Sequence, residues 1–325
     1  MVDNKEQAKR LGIIGTGRMG QARAESVQKV ELLETAWVCS RSRDRGQEFA
    51  SEYGIDKVIT DWQQGCEDPG IDGVIITTPN NLHQEMACKA LENDKHVLVE
   101  YPLAVNTDQG REIINTARQS KGELHSGLTH RLTGHHQAIE NVLPRLGSIG
   151  TVISLQCSGN EISRWFDDKE RMGNVFVASN IHYIDQLVAW LGKVSWVNGS
   201  LLEELEDGLV DRDMGSVMLG FASGVTAYIV YARGWPQPGL GFDRKIIGEE
   251  GYLVENGGQI KFLSPENEEE IETENRNSIL EDTRLFKNLL LEGKKPPYTP
   301  EDDLYAVEIA EAAYESSRQG KRIEM

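Results

Sequence analysis

Leu11-Gly12-Ile13-Ile14-Gly15-Thr16-Gly17-Arg18-Met19-Gly20 is the stretch on which the fold is decided. Its apolar first half reads as a short buried strand, and the residues after Gly17 begin a helical pattern. Gly15, Gly17 and Gly20 therefore fall at a strand-to-helix turn. The first glycine permits the tight turn, and the second lets a pyrophosphate approach the backbone. The third lets the helix pack close to its strand. The helix N-terminus faces the anion, with Thr16, Arg18 and Met19 in the same cradle. A lone G-x-G-x-x-G is weak, but this one follows a strand, opens a helix and lies near the N-terminus. That context marks a dinucleotide site.

Outward from this turn, residues 11 to 128 alternate short apolar runs with helical patterns. Strands are expected at Leu11–Ile14, Thr35–Cys39, Lys57–Ile59, Gly73–Thr77, His96–Val99 and Glu123–Leu128. Helices are expected near Gly17–Lys29, Arg43–Tyr53, Leu82–Asn93 and Thr107–Ser120. Strands separated by helices imply right-handed crossovers and a parallel sheet, with the ligand outside the carboxyl ends of the strands. After about residue 130 the rhythm changes. Helical stretches at Gly134–Leu146 and Ile181–Trp190 surround Thr151–Cys157. Strand-like runs follow at Val194–Val197, Ser216–Phe221, Val225–Tyr231, Lys245–Ile247, Tyr252–Glu255 and Gln259–Leu263, then helices at Ser278–Leu291 and Pro300–Gln319. The fold class is α/β: a doubly wound Rossmann sheet, then an α+β domain with a largely antiparallel, open-faced sheet. With 325 residues, two domains are expected. Residues 1–123 would bind the dinucleotide and 124–325 would bind substrate and support oligomerisation, the last helix packing back on the first domain.

A formal net charge of −18 argues against nucleic-acid binding, because the phosphate backbone would be repelled. The acidic clusters Glu266–Glu274 and Glu203–Asp207 read as solvated loop or edge surface. No apolar run is long enough for a membrane span. The polar start, Met1 to Arg10, does not read as a secretory signal. Cys39, Cys66, Cys88 and Cys157 lack C-x-x-C spacing, as expected of reduced, mostly buried thiols in a cytoplasmic protein.

The end of the second strand bears on the choice of cofactor. Cys39-Ser40-Arg41-Ser42-Arg43 holds no Asp or Glu to bond a ribose 2′-hydroxyl. Ser40, Arg41 and Ser42 instead suit a 2′-phosphate, since guanidinium pairs well with phosphate oxygens. NADP(H) is the expected cofactor, with NAD(H) possible.

Two further stretches follow consecutive strands and so lie on the same carboxyl edge: Thr78-Pro79-Asn80-Asn81-Leu82-His83, and Glu100-Tyr101-Pro102-Leu103-Ala104 after His96–Val99. Pro102 fixes a backbone angle and restrains Tyr101. With the glycine turn, and with Ile181-His182-Tyr183-Ile184-Asp185, the chain resembles the Gfo/Idh/MocA family of NAD(P)-dependent oxidoreductases along nearly its whole length. The resemblance implies hydride transfer at the nicotinamide C4 and a small-molecule substrate held between two domains. It places Thr78, Pro79, Asn80, His83, Glu100 and Pro102 at the cofactor, and it implies a homodimer or homotetramer. An apolar strand face such as Val225–Tyr231 would supply the oligomer surface.

The chain departs from its relatives at the expected catalytic groups. Sugar and cyclitol dehydrogenases of the family carry E-K-P, and here Tyr101 takes the lysine position. Their aspartate four residues before the histidine is Ala178 here, while the histidine is kept as His182. E-Y-P resembles the biliverdin reductases, which do not generally keep the H-x-x-D helix. A phenol, with an ordinary pKa of about 10, is a proton donor at neutral pH. Tyr101 is thus the expected proton donor and His182 the group that assists or binds substrate, with a satisfied core histidine as the bland reading. Asp185 shares a helix face with His182 and would orient it or pack beside it. Arg131 and Arg164 could hold a substrate carboxylate or phosphate, and Trp165 and Trp235 could stack on a flat substrate. His130, His135 and His136 lack a ligand set at metal spacing, so no metal is expected. The expectation is a reductase acting on a small carbonyl, imine or conjugated substrate. The alternatives are a biliverdin reductase, a sugar or cyclitol dehydrogenase, and a non-catalytic NADP-binding sensor.

Overall fold

The computed structural model describes residues 8–158, 164–234 and 241–325. Six strands, β1 Lys9–Ile14, β2 Leu33–Cys39, β3 Val58–Ile59, β4 Gly73–Ile76, β5 His96–Glu100 and β6 Leu124–Gly127, form a parallel sheet in the order β3-β2-β1-β4-β5-β6. The order reverses between β1 and β4, so a crevice opens at their carboxyl ends. Helices α1 Arg18–Gln28, α2 Arg43–Tyr53, α3 Trp62–Cys66, α4 His83–Glu92 and α5 Thr107–Gln119 complete the crossovers. Strand residues alternate between two apolar cores. Ile14, Val74, Ile76, Val97 and Val99 enter one, and Leu11, Ile13, Ile75 and Leu98 enter the other. A parallel sheet covered on both faces reads as this kind of continuous apolar run.

The division of the chain differs from the expected one at residue 123. Leu124–Gly127 continues the parallel register, with Glu100 opposite Gly127, so β6 belongs to the first sheet. The first unit runs to Thr129 and takes back Asn277–Leu304. Those residues include α6, Ser278–Glu292, whose Phe286, Leu289 and Leu290 join the core of Leu11, Ala24 and Val27. The penultimate helix packs back on the first unit, and so does the start of the last, where Leu304 joins the core and Asp303 accepts from Leu103 N. The last, α7 Pro300–Gln319, groups with the second unit from Tyr305 onward.

The second unit, His130–Arg276 with Tyr305–Met325, is built on nine strands. They are β7 Ile149–Ser158, β8 Val194–Glu206, β9 Leu209–Phe221, β10 Thr226–Arg233, β11 Phe242–Gly248, β12 Tyr252–Asn256, β13 Gln259–Leu263, β14 Glu268–Ile271 and β15 Ile323–Glu324. Their order is β14-β13-β12-β11-β7-β10-β9-β8-β15, and every pair is antiparallel except β7 with β10. Both acidic runs reach into this sheet. Glu203–Asp207 ends β8 and enters an Asp207-Gly208 turn with φ of +51° and +80°, while Glu268–Ile271 is an edge strand. Val152, Val197, Val217, Leu219, Ala227, Ile229, Ile246 and Leu253 point to a covered face. Their neighbours Ile153, Tyr228, Val230, Ile247 and Tyr252 are each about two-fifths exposed, at 38 to 45%. Among the described residues no helix is long and apolar enough to cross a membrane.

Candidate functional site

In the first unit the candidate nucleotide site begins at the turn from β1 to α1. Gly15 sits at φ +116°, where a Cβ would fall 2.6 Å from Thr77 Oγ1. A Cβ on Gly20 would fall 2.3 Å from the Gly15 carbonyl oxygen. Gly17 instead faces open space. The first turn of α1 has neither a side-chain cap nor an acidic residue. Uncapped N–H groups beneath an unfilled position suit a pyrophosphate, so the residues present fit a dinucleotide. Beside it, Thr16 and Ser40 hydroxyls lie 3.3 Å apart at the end of β2. Arg41 is exposed, whereas the Ser42 hydroxyl caps α2 by accepting from Arg45 N at 3.4 Å.

The loops after β4 and β5 complete this edge. Thr78 and Pro79 are half-buried, and Asn80 begins a short 3-10 turn that leads into α4. His83, expected at the cofactor, is held between the two loops. It is 1% exposed, with Nδ1 2.8 Å from Pro102 O and Nε2 3.0 Å from Thr78 O. Both neighbours are acceptors, and the ring, kept neutral by burial, donates to one of them while spanning the two loops. Glu100 is likewise drawn inward: Arg23 Nε donates to its Oε1 at 2.5 Å. Burial raises the Glu100 pKa, and Arg23 only partly offsets this. Tyr101 is half-buried and joined to Pro102 by a cis peptide bond.

The other unit carries a second group of candidate residues. A π-helical turn, Phe176–Asn180, carries Ala178 and leads into the helix Ile181–Leu191. π-turns inside helices are frequent at functional sites. The His182 ring stacks on His130 at 3.9 Å and 14°. Burial, and His130 beside it, push the His182 pKa well below its ordinary value, and burial pushes His130 down to about 4. Both rings are therefore neutral near pH 7. Asp185 lies one helical step from His182 and also binds Arg131. It receives Arg131 in a fork, with Nε 2.9 Å from Oδ2 and Nη2 2.5 Å from Oδ1. Arg131 and Asp185, both expected at substrate, are thus engaged with each other. Trp165 lies against Phe166, ring centroids 4.0 Å apart and tilted by 33°. The Arg164 side chain and Trp235 lie outside the described residues. Among the described residues no three His, Cys, Asp or Glu side chains are grouped as a metal would require.

Two arginines central to these units were not singled out in the sequence. Arg244 is 2% exposed, its guanidinium 4.7 Å from the Phe242 ring and 4.8 Å from that of Trp190. Arg23 is fully buried, and a signal for it exists. It shares the i, i+3, i+4, i+7 face with Gly20, Ala24 and Val27, an arginine at a core position of α1.

The glycine turn at the switch point of a parallel sheet marks a dinucleotide-binding fold. Residues 9–128 match the family described as "Oxidoreductase family, NAD-binding Rossmann fold", and 145–325 match its "C-terminal alpha/beta domain". The chain belongs to the Gfo/Idh/MocA family of NAD(P)-dependent oxidoreductases. It is 24% identical to myo-inositol 2-dehydrogenase of Thermotoga maritima, covering 97% of this chain and 98% of that protein. It is 26% identical to 1,5-anhydro-D-fructose reductase of Ensifer adhaerens over the same shares. Among solved structures, biliverdin reductase of Synechocystis sp. PCC 6803, in complex with biliverdin and NADP+, superposes with a TM-score of 0.89. That match has 27% identity and covers 94% of this chain and 98% of the other.

Proposed function

We propose that this enzyme is an NADP(H)-linked reductase of a small carbonyl, imine or conjugated substrate, with Tyr101 as proton donor. The observation that carries the reading is the half-buried tyrosine at the lysine position, on the same strand edge as the glycine turn. The bound cofactor supplies a hydride from the nicotinamide C4. Tyr101 gives its phenolic proton to the atom that gains charge, and water returns the proton to the phenolate. His182, neutral and stacked on His130, then serves as a hydrogen-bonding group for substrate rather than as an acid. That assignment follows its lowered pKa and the absence of an aspartate at Ala178. Exposed Arg41, beside Ser40 and Thr16, supports a 2′-phosphate preference. Free cysteines support a reducing, cytoplasmic setting. The apolar open face of the nine-stranded sheet supports a homo-oligomer.

A second reading, biliverdin reduction, is favoured by Glu100-Tyr101-Pro102 and by the likeness to the Synechocystis enzyme. Biliverdin with NADPH tests the second reading and, where the bilin is reduced, Tyr101 as donor. Loss of the green bilin absorbance, slowed about tenfold to a thousandfold in Tyr101→Phe, is the expected outcome. An unchanged kcat in that variant overturns Tyr101 as donor. No bilin reduction by protein that binds NADPH removes the second reading and leaves small carbonyls and imines. Arg41→Ala should lower the NADPH-to-NADH ratio of kcat/KM about tenfold.

A further inference from the structure

We propose that Arg23 is a positioning residue for Tyr101, acting through Glu100, and that it is held to this task by Asp282 of α6. The inference rests on the reading of Tyr101 as the proton donor.

Arg23 lies one turn into α1, three residues past the last glycine of the nucleotide turn. Its Nε donates to Glu100 Oε1 at 2.5 Å and its Nη1 lies 2.6 Å from Asp282 Oδ2, with Thr283 Oγ1 at 3.2 Å. Asp282 is itself fully buried. Its Oδ1 accepts from His125 Nε2 at 2.7 Å and from the Tyr298 hydroxyl at 2.5 Å. Burial alone would raise the Asp282 pKa, but His125 and Arg23 hold the carboxyl well below the usual range. The planar guanidinium thus fixes two carboxylates from two elements at once. Glycine at position 127 leaves room for it, since a Cβ there would fall 2.9 Å from Arg23 Nη2 and 3.2 Å from Glu100 Oε2.

Stability alone is a poor reason for this arrangement. Position 23 sits among Ala24, Val27 and the apolar side of α6, where an aliphatic residue would pack. Replacing a buried ion pair with apolar groups is often neutral or stabilising. What the arginine adds is orientation of the residue next to Tyr101. The loop is pinned on the other side as well: the His83 ring lies against Pro102 O, and Leu103 N donates to Asp303 Oδ2 at 2.9 Å. The anchors come from α1, α4 and α7 and bracket Tyr101 at positions 100, 102 and 103. A reacting group must be held to a fraction of an ångström, and a misplacement of about 1 Å can cost about a hundredfold in rate.

The test is ¹⁹F NMR of full-length, NADPH-bound protein carrying 3-fluorotyrosine at its nine tyrosines, with the Tyr101 line identified by its loss in Tyr101→Phe. Glu100→Gln, which leaves Arg23 its Asp282 partner, should shift or broaden the Tyr101 line and leave the others in place. Arg23→Lys should move the same line. A Tyr101 line unmoved by either substitution in folded protein overturns the proposal. So does a Glu100→Gln protein that fails to fold or shifts all lines together, because the pair would then support the whole unit rather than one loop. The kcat of Tyr101→Phe judges the proton-donor reading separately, so the two failures are distinguishable.

Discussion

The two sheets of this enzyme work from different places. The six-stranded sheet is buried on both faces by α1 to α6, which leaves its carboxyl edge as the part that meets a ligand. The nine-stranded sheet has one covered face and one apolar open face across β7, β10, β11 and β12. An edge is made by a few loop residues whose identity is dictated by sterics, and so it tolerates almost no change. A face is made by many alternating side chains, each replaceable, and its strength is collective.

The sharpest way to break the comparison is at the edge. Gly20→Val places a branched side chain where even a Cβ would lie 2.3 Å from the Gly15 carbonyl oxygen. Backbone cannot yield there without opening the nucleotide turn. NADPH binding, followed by the fluorescence of the reduced nicotinamide, should weaken about a hundredfold or more. Affinity within about threefold of the parent would mean that the turn is not the phosphate cradle.

The same contrast explains what could be read from the sequence. Gly15, Gly17 and Gly20 are legible from their setting between a strand and a helix, because only glycine satisfies a positive φ, an open approach and a close helix contact in one turn. The strands around them are short continuous apolar runs, and all six were placed with the right type. The second unit was legible in class but not in extent. Val194–Val197 and Ser216–Phe221 are the inner ends of two 13-residue strands. The outer ends were hidden by charge, since Glu203, Glu204, Glu206, Asp211 and Arg212 made a strand pair look like solvated loop. Asp207-Gly208 was the available signal, a dipeptide suited to two successive positive φ values at a hairpin tip. The return of α6 to the first unit could not be read locally. Its amphipathic face asks for a partner without naming one more than two hundred residues away. For the same reason the protein contacts of His83 and Glu100 could not be read from the sequence. Their partners, Pro102 O and Arg23, depend on tertiary packing rather than on motif spacing.

The open face should respond to charge, with an effect repeated at every copy of the contact. Tyr228 faces Ile153 across the parallel β7–β10 pair and Met218 across β9. Tyr228→Glu puts a carboxylate in the middle of that apolar row, and in a two-fold interface it does so twice. Light scattering should find the parent as an oligomer and the variant as a 36.3 kDa monomer, with the NADPH affinity of the edge unchanged. A parent that is already monomeric removes the face as an oligomer surface. A variant that stays assembled moves the interface elsewhere.

The smallest effect concerns how firmly the second unit holds its histidines neutral. His136 is 3% exposed, stacked on Trp190 at 4.9 Å, and its pKa is lowered to about 3. Burial is the main cause, with Arg131, Arg244 and His130 adding to it. The groups facing it are thus cationic or neutral, and none favours the imidazolium. In the unfolded chain the same group titrates at about 6.5. Between that value and about 3 the unfolded state binds more protons, so stability is fully present above about pH 6.5 and declines as pH falls. His130, lowered to about 4, works in the same direction. His136→Phe keeps a ring against Trp190 and removes one titration. Its Tm at pH 5 should lie closer to its own pH 7 value than the parent's does, by a few degrees. Equal acid sensitivity in the two proteins would place the histidine in contact with solvent and make the stack on Trp190 incidental to the pH response.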